Sequence, residues 1–219
     1  MLMVAAMRKF ILCLALCLSV PSLTYAKDGV VSAADPRAAE AGRDILRKGG
    51  SASDAAMTMM LVLTLVEPQS SGIGGGGFLV HYDANSGKTG TIDGRETAPA
   101  SASPSLFLTA DGKPMSFRDA VPGGRSVGIP GNMALMQSAH RKWGKLKWAD
   151  LFQPAIKLAE DGYAVTPRLA NTLGQMRALW ADFPEARAIY WQDDRPKRVG
   201  ETVRNPAYAA FLKTLAKKG

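Results

Sequence analysis

Residues Ser70 to Asp83 read S-S-G-I-G-G-G-G-F-L-V-H-Y-D, four consecutive glycines running into an apolar stretch. Glycine at that density raises the conformational entropy lost on folding, so the backbone must need what glycine alone permits. Three uses compete: cradling a phosphate, closing on a cofactor, or letting two layers of backbone approach each other. Phosphate loops run strand, glycine loop, helix, so that the helix N-terminus faces the anion. Here the order is helix, glycine loop, strand, and no Lys-Ser pair follows. The run is therefore read as structural. Gly74 to Gly77 let a strand enter a crowded sheet close beneath a core helix.

That helix precedes the glycines. It opens at Ser53-Asp54, is apolar on nearly every side from Ala55 to Val66, and ends at Glu67-Pro68. A helix apolar all round expects protein on several sides. Upstream, Val30 to Ala33 reads as a short strand, and Asp35-Pro36 as the N-cap and first turn of a helix. Ala38, Ala41, Ile45 and Leu46 line one face of that helix, and Gly49-Gly50 stop it. Downstream, Phe78 to Tyr82 and Thr89 to Glu96 read as strands joined by a turn over Asp83 to Gly87. After a small-residue loop at Ala98 to Pro104 the chain turns helical: Gly131-Asn132 to Gly144, then Pro154 to Gly162. Thr166-Pro167 and Asn205-Pro206 open two more helices, the last with Tyr208, Phe211, Leu212 and Leu215 on one face. The pattern is one α/β unit with a helical second half.

The first residues have a different character. Arg8 and Lys9 precede an apolar run from Phe10 to Val20, and Thr24-Tyr25-Ala26 offers small residues where a signal peptidase cuts. Residues 1–26 are read as a secretory signal and 27–219 as the mature domain, in the periplasm or outside the cell. The run is too short for a permanent membrane anchor. Both cysteines, Cys13 and Cys17, lie inside the signal, so the mature chain has no disulfide and no cysteine metal site. Without Arg8 and Lys9, 25 basic residues face 19 acidic ones, a net charge of +6. That charge is not concentrated. The densest basic segment, Arg141 to Lys147, continues into no longer stripe and is read as a solvated helix end rather than a nucleic-acid surface.

Several motifs invite chemistry and fail on context. Gly124-Arg125-Ser126-Val127-Gly128 fits G-x-S-x-G, but Ile129-Pro130-Gly131 interrupts the helix a nucleophile elbow requires. The one downstream histidine, His140, sits on the very next helix. Asp83, Asn85 and Gly87 mimic the opening of a calcium loop, yet its sixth and twelfth positions hold Lys88 and Gly94. His81 and His140 lack metal-ligand spacing, so packed or surface roles are expected and no metal or cofactor. Asp93-Gly94-Arg95-Glu96-Thr97-Ala98-Pro99 is more informative. Arg95 stands at a strand end, where a guanidinium can hold a carboxylate bidentately or form an ordinary ion pair with Glu96. Spacing leaves both open.

Six segments in order then form a series: V-V-S-A-A-D-P-R-A-A-E-A-G from Val30, G-G-S-A-S-D-A-A from Gly49, S-S-G-I-G-G-G-G-F-L-V from Ser70, D-G-R-E-T-A-P from Asp93, V-G-I-P-G-N from Val127, and P-A-I-K-L-A-E-D-G-Y-A-V-T from Pro154. Together they resemble the large-subunit portion of γ-glutamyltransferases, the family that acts on glutathione. The resemblance implies an N-terminal-nucleophile hydrolase αββα sandwich, in a secreted precursor that cuts itself in two. It implies that an N-terminal threonine of the small subunit attacks the γ-glutamyl amide, and that Arg95 grips the α-carboxylate of that group. No threonine here stands in the T-T-H context of the cut; Thr58 and Thr64 lie in the core helix and Thr97 in the arginine motif. The chain is thus expected to be inactive alone. Glutathione or another γ-glutamyl compound and a nucleophile-bearing small subunit are its expected partners. A non-catalytic remnant and a related dicarboxylic acylase are the alternatives.

Overall fold

The computed structural model describes residues 29–218, so the signal with Cys13 and Cys17 lies outside the described residues. From Val31 onward the chain forms one compact unit, mixed helix and strand and about half helical. Helix α1 (Pro36–Arg47) starts as read: Asp35 caps it by accepting from the Arg37 backbone N–H, with Pro36 in the first turn. Burial raises the Asp35 carboxyl, but hydrogen bonds from the Arg37 guanidinium and backbone outweigh it and hold it below the usual range. Ala38, Ala41 and Ile45 face inward. Gly49 ends the turn at φ +87°, a conformation that favours glycine.

Helix α2 (Ala52–Val66) begins two residues before the position read from sequence. Ser51 is the cap, and Ser51 and Asp54 exchange side-chain-to-backbone hydrogen bonds in a full capping box. Asp54 is fully buried. Besides the Ser51 N–H, its Oδ2 accepts the backbone N–H groups of Lys145 (2.9 Å) and Leu146 (3.2 Å), which pins the 144–146 loop to the helix start. Met57, Leu61, Val62, Leu65 and Val66 are buried, as expected for a helix without a polar face. Around it pack α4 (Asn132–Trp143, after a one-turn α3 at Phe117–Ala120) and α5 (Trp148–Asp161). The next helices are α6 (Pro167–Gln175), α7 (Arg177–Ala181), α8 (Pro184–Tyr190) and α9 (Pro206–Lys218), with α9 lying along α5. The Trp148 indole N–H donates to the Leu215 carbonyl, and Thr64 meets the Tyr208 hydroxyl at 2.7 Å. Thr166 and Asn205 cap their helices as read.

Three expectations are corrected here. Residues 30–33 form no strand: their exposure alternates as in a strand, but among the described residues no partner supplies a ladder. Helix α5 starts at Trp148, not Pro154, which sits inside it. Burial of Leu151 and Phe152 on the preceding turn carries the helix through a residue that removes one backbone hydrogen bond. Phe211 is 46% exposed, because the inward face of α9 passes through Ala209 and Leu212 instead.

Among the described residues the strands form three two-stranded antiparallel sheets. The main one pairs β1 (Gly77–Asp83) with β2 (Lys88–Gly94), with Phe78 opposite Asp93 and Tyr82 opposite Thr89. Strand β2 ends at Gly94, one residue short of Arg95 and not at Glu96 as read from sequence. The hairpin is two-faced. Leu79, His81 and Ile92 turn toward α4, where the His81 ring stacks on Trp143 at 4.4 Å. Phe78, Val80 and Tyr82 point the other way and are 64–70% exposed.

Candidate functional site

The glycine run does not lie beneath α2 as expected. It packs against the end of β2 and the segment beyond it. A Cβ on Gly76 would stand 2.6 Å from both the Gly94 carbonyl oxygen and Glu96 Oε2, and one on Gly75 would stand 3.2 Å from Glu96 Oε1. The same crowding recurs at the start of α4, where a Cβ on Gly131 would lie 2.0 Å from the Gly94 oxygen. Gly131 and Asn132 both donate backbone N–H groups to the Gly75 carbonyl. Three segments, 72–77, 94–97 and 128–132, thus meet backbone to backbone, and Asn132 Nδ2 closes the junction on the Gly72 carbonyl at 2.7 Å. The opening question is answered structurally: the glycines seat the Arg95 segment.

Arg95 follows directly. Its backbone N–H donates to Asp93 Oδ1 at 2.9 Å, an Asx turn that ends the strand, and its side chain is exposed. Among the described residues no carboxylate lies within 4 Å of its guanidinium, so the Arg95–Glu96 ion pair does not form. Glu96 turns its carboxylate back onto Gly75 and Gly76 instead. Thr97 pairs with Ile129 in an isolated antiparallel bridge that brings the 124–129 loop alongside. Between these segments opens a pocket of about 350 Å³, lined by Arg95, Glu96, Leu106, Phe107, Arg125 and Ser126 among others. In the sequence Arg125 is only the variable position of G-x-S-x-G, and the long-range bridge brings it to this pocket as a second arginine.

The other motif residues hold loops and turns together. The Ser126 hydroxyl donates to the Val121 and Gly123 carbonyls and is a loop fastener. His140 Nε2–H donates to the Leu146 carbonyl at 2.8 Å, and His81 Nδ1 lies 3.0 Å from Ser53 Oγ. Asp83 accepts from Asn85 N–H and Ser86 Oγ, completing an ordinary hairpin turn with Gly87 at φ +67°. Among the described residues no three His, Cys, Asp or Glu side chains are grouped to hold a metal ion, and no helix is long and apolar enough to cross a membrane. Thr58 is fully buried, and Thr64 spends its hydroxyl on Leu61 and Tyr208. What the pocket brings together is Arg95, Arg125 and Glu96 beside Leu106 and Phe107.

The sequence model of the Gamma-glutamyltranspeptidase family matches residues 38–219. The chain belongs to that family. Among the relatives of this chain is the glutathione hydrolase proenzyme of Bacillus subtilis strain 168, 38% identical over 193 residues, 88% of this chain and 33% of the relative. The acylase ACY 1 proenzyme of Pseudomonas sp. strain V22 is 36% identical over 196 residues, 87% of this chain and 35% of the relative. Among solved structures, the gamma-glutamyltranspeptidase of Helicobacter pylori superimposes with a TM-score of 0.82 at 33% identity, covering 87% of this chain and 54% of that one. The chain spans about one third of the length of the curated relatives it matches, and corresponds to their N-terminal portion.

Proposed function

We propose that this chain is the large-subunit portion of an exported γ-glutamyl hydrolase/transferase, with residues 1–26 as its signal and 27–219 as its mature part. The carrying observation is the Arg95 guanidinium, exposed at a pocket and without a carboxylate partner among the described residues. In that position it holds the α-carboxylate of a γ-glutamyl donor such as glutathione through paired N–H···O bonds. A donor so anchored presents its γ-amide at a fixed reach from the arginine. The nucleophile comes from the small-subunit portion, because no threonine of this sequence stands in the T-T-H context of the family's cut. The chain alone then binds but does not turn over. The exposed Phe78, Val80 and Tyr82 face supports the same reading, since in an αββα sandwich it meets the second sheet.

The test is made on the material that co-purifies with the chain from its native periplasm. Intact mass is expected to show a second polypeptide beginning with threonine, and the pair hydrolyses γ-glutamyl-p-nitroanilide. Arg95→Gln then raises KM roughly 30- to 100-fold, the loss of a charge-assisted bidentate contact. Turnover by the chain alone, or an unmoved KM, sinks the proposal; the chain alone and inert would make it a non-catalytic remnant. The acylase relative supports a second reading, in which Arg95 holds the distal carboxylate of a dicarboxylic acyl group. Comparing glutaryl with γ-glutamyl amides separates the two.

A further inference from the structure

We infer that Arg125 forms a second carboxylate subsite in the Arg95 pocket, so that the site selects ligands carrying two separated carboxylates. The inference rests on the reading of Arg95 as a carboxylate grip. Both guanidiniums line one pocket of about 350 Å³, and neither has a carboxylate within 4 Å among the described residues. The Glu96 carboxylate of the same lining turns toward Gly75 and Gly76. Two arginines against one glutamate leave the lining net cationic, and a concave cationic surface concentrates anions. Among the described residues the Arg125 guanidinium hydrogen-bonds only through Nη1 to the Met115 sulfur, a weak acceptor that leaves the other N–H donors unspent.

The two cations do not converge on a single point. Thr97 and Ile129 pair antiparallel, with Arg95 two residues to one side of the bridge and Arg125 four residues to the other. The bridge thus sets the two arginines on opposite sides of it along the backbone, an arrangement that suits two carboxylates on one molecule better than one carboxylate shared. The Arg125 loop is held in place for this. Gly123 turns at φ +85°, residues Gly124–Ser126 form a 3-10 turn, and the Ser126 hydroxyl fastens it to Val121 and Gly123. Leu106 and Phe107 supply an apolar wall for the methylenes of the ligand.

Equilibrium titration of the full chain with γ-glutamylglycine and with γ-glutamylmethylamide tests this, since the second probe lacks the distal carboxylate. Wild-type chain is expected to bind the dicarboxylate about fivefold more tightly, the range for one solvent-facing charge-assisted contact. In Arg125→Gln that ratio falls to about one, Arg125→Lys keeps part of it, and Arg95→Gln weakens both probes. Melting curves confirm that the variants stay folded, and the ratio itself is insensitive to a fraction of inactive protein. A wild-type ratio of one, or one that survives Arg125→Gln, overturns the subsite while leaving Arg95 standing if Arg95→Gln still weakens binding. Arg95→Gln without effect, or no binding of either probe to wild type, overturns both readings.

Discussion

At Gly76 a side chain would compete for space with the Gly94 carbonyl and the Glu96 backbone N, 2.6 and 2.7 Å from where its Cβ would stand. Backbone atoms cannot swing aside, so Gly76→Ala is expected to destabilise the chain by roughly 2–4 kcal/mol. Gly74 belongs to the same run, but nothing lies within 4 Å of its Cβ position and its φ is not in the left-handed region. Gly74→Ala should leave stability within about 0.5 kcal/mol or raise it slightly, through the lower entropy of the unfolded chain. Urea denaturation of the two variants decides this, and equal losses would refute the division. The sequence could not make the division, because the four glycines look alike until Glu96 folds back on two of them. Arg95 was legible only through the motif around it, since strand-end position alone allowed an ion pair equally well. Arg125 was illegible for a plainer reason. Its pocket exists only after residues thirty apart pair at Thr97 and Ile129.

The elements that sequence located well are those specified by neighbours. Asp35-Pro36, Thr166-Pro167 and Asn205-Pro206 each combine a side-chain cap with a first-turn proline, and all three hold. Those it misplaced depend on distant partners: residues 30–33 pair with no strand among the described residues, and α5 runs through Pro154 because its preceding turn is buried. The small hairpin of β3 (Trp191–Gln192) and β4 (Arg195–Pro196) is illegible in sequence, being two residues per strand. An ion pair fastens it. Arg195 reaches Glu201 through two bonds of 2.9 and 2.7 Å. That guanidinium, with the Arg198 N–H, holds the Glu201 carboxyl down to about 2 from an ordinary 4.5. A depressed carboxyl contributes stability that is complete above pH 4.5 and lost as pH falls from there to about 2. Arg195→Gln should therefore flatten the acid limb of the Tm–pH curve in that window and lower Tm above it. Parallel acid limbs in thermal scans of both proteins would show that the pair contributes nothing.

On the scale of the whole molecule, the hairpin is covered on one face and bare on the other. Phe78, Val80 and Tyr82 form an exposed apolar strip along β1, beside strand edges without partners among the described residues. The chain by itself should self-associate. Phe78→Thr with Val80→Thr keeps strand preference while removing the strip, and sedimentation is expected to shift from oligomers toward monomer. A sharply melting wild-type monomer would contradict this. The Asp54 carboxylate has a consequence in time rather than in space. The amides that it binds lie 91 and 92 residues further along the chain. At a synthesis rate of about 5–20 residues per second, roughly 5–20 s pass between the birth of the most apolar helix and that of the loop which locks it. Through that interval, a nascent chain carries its greasiest segment with its anchor not yet made.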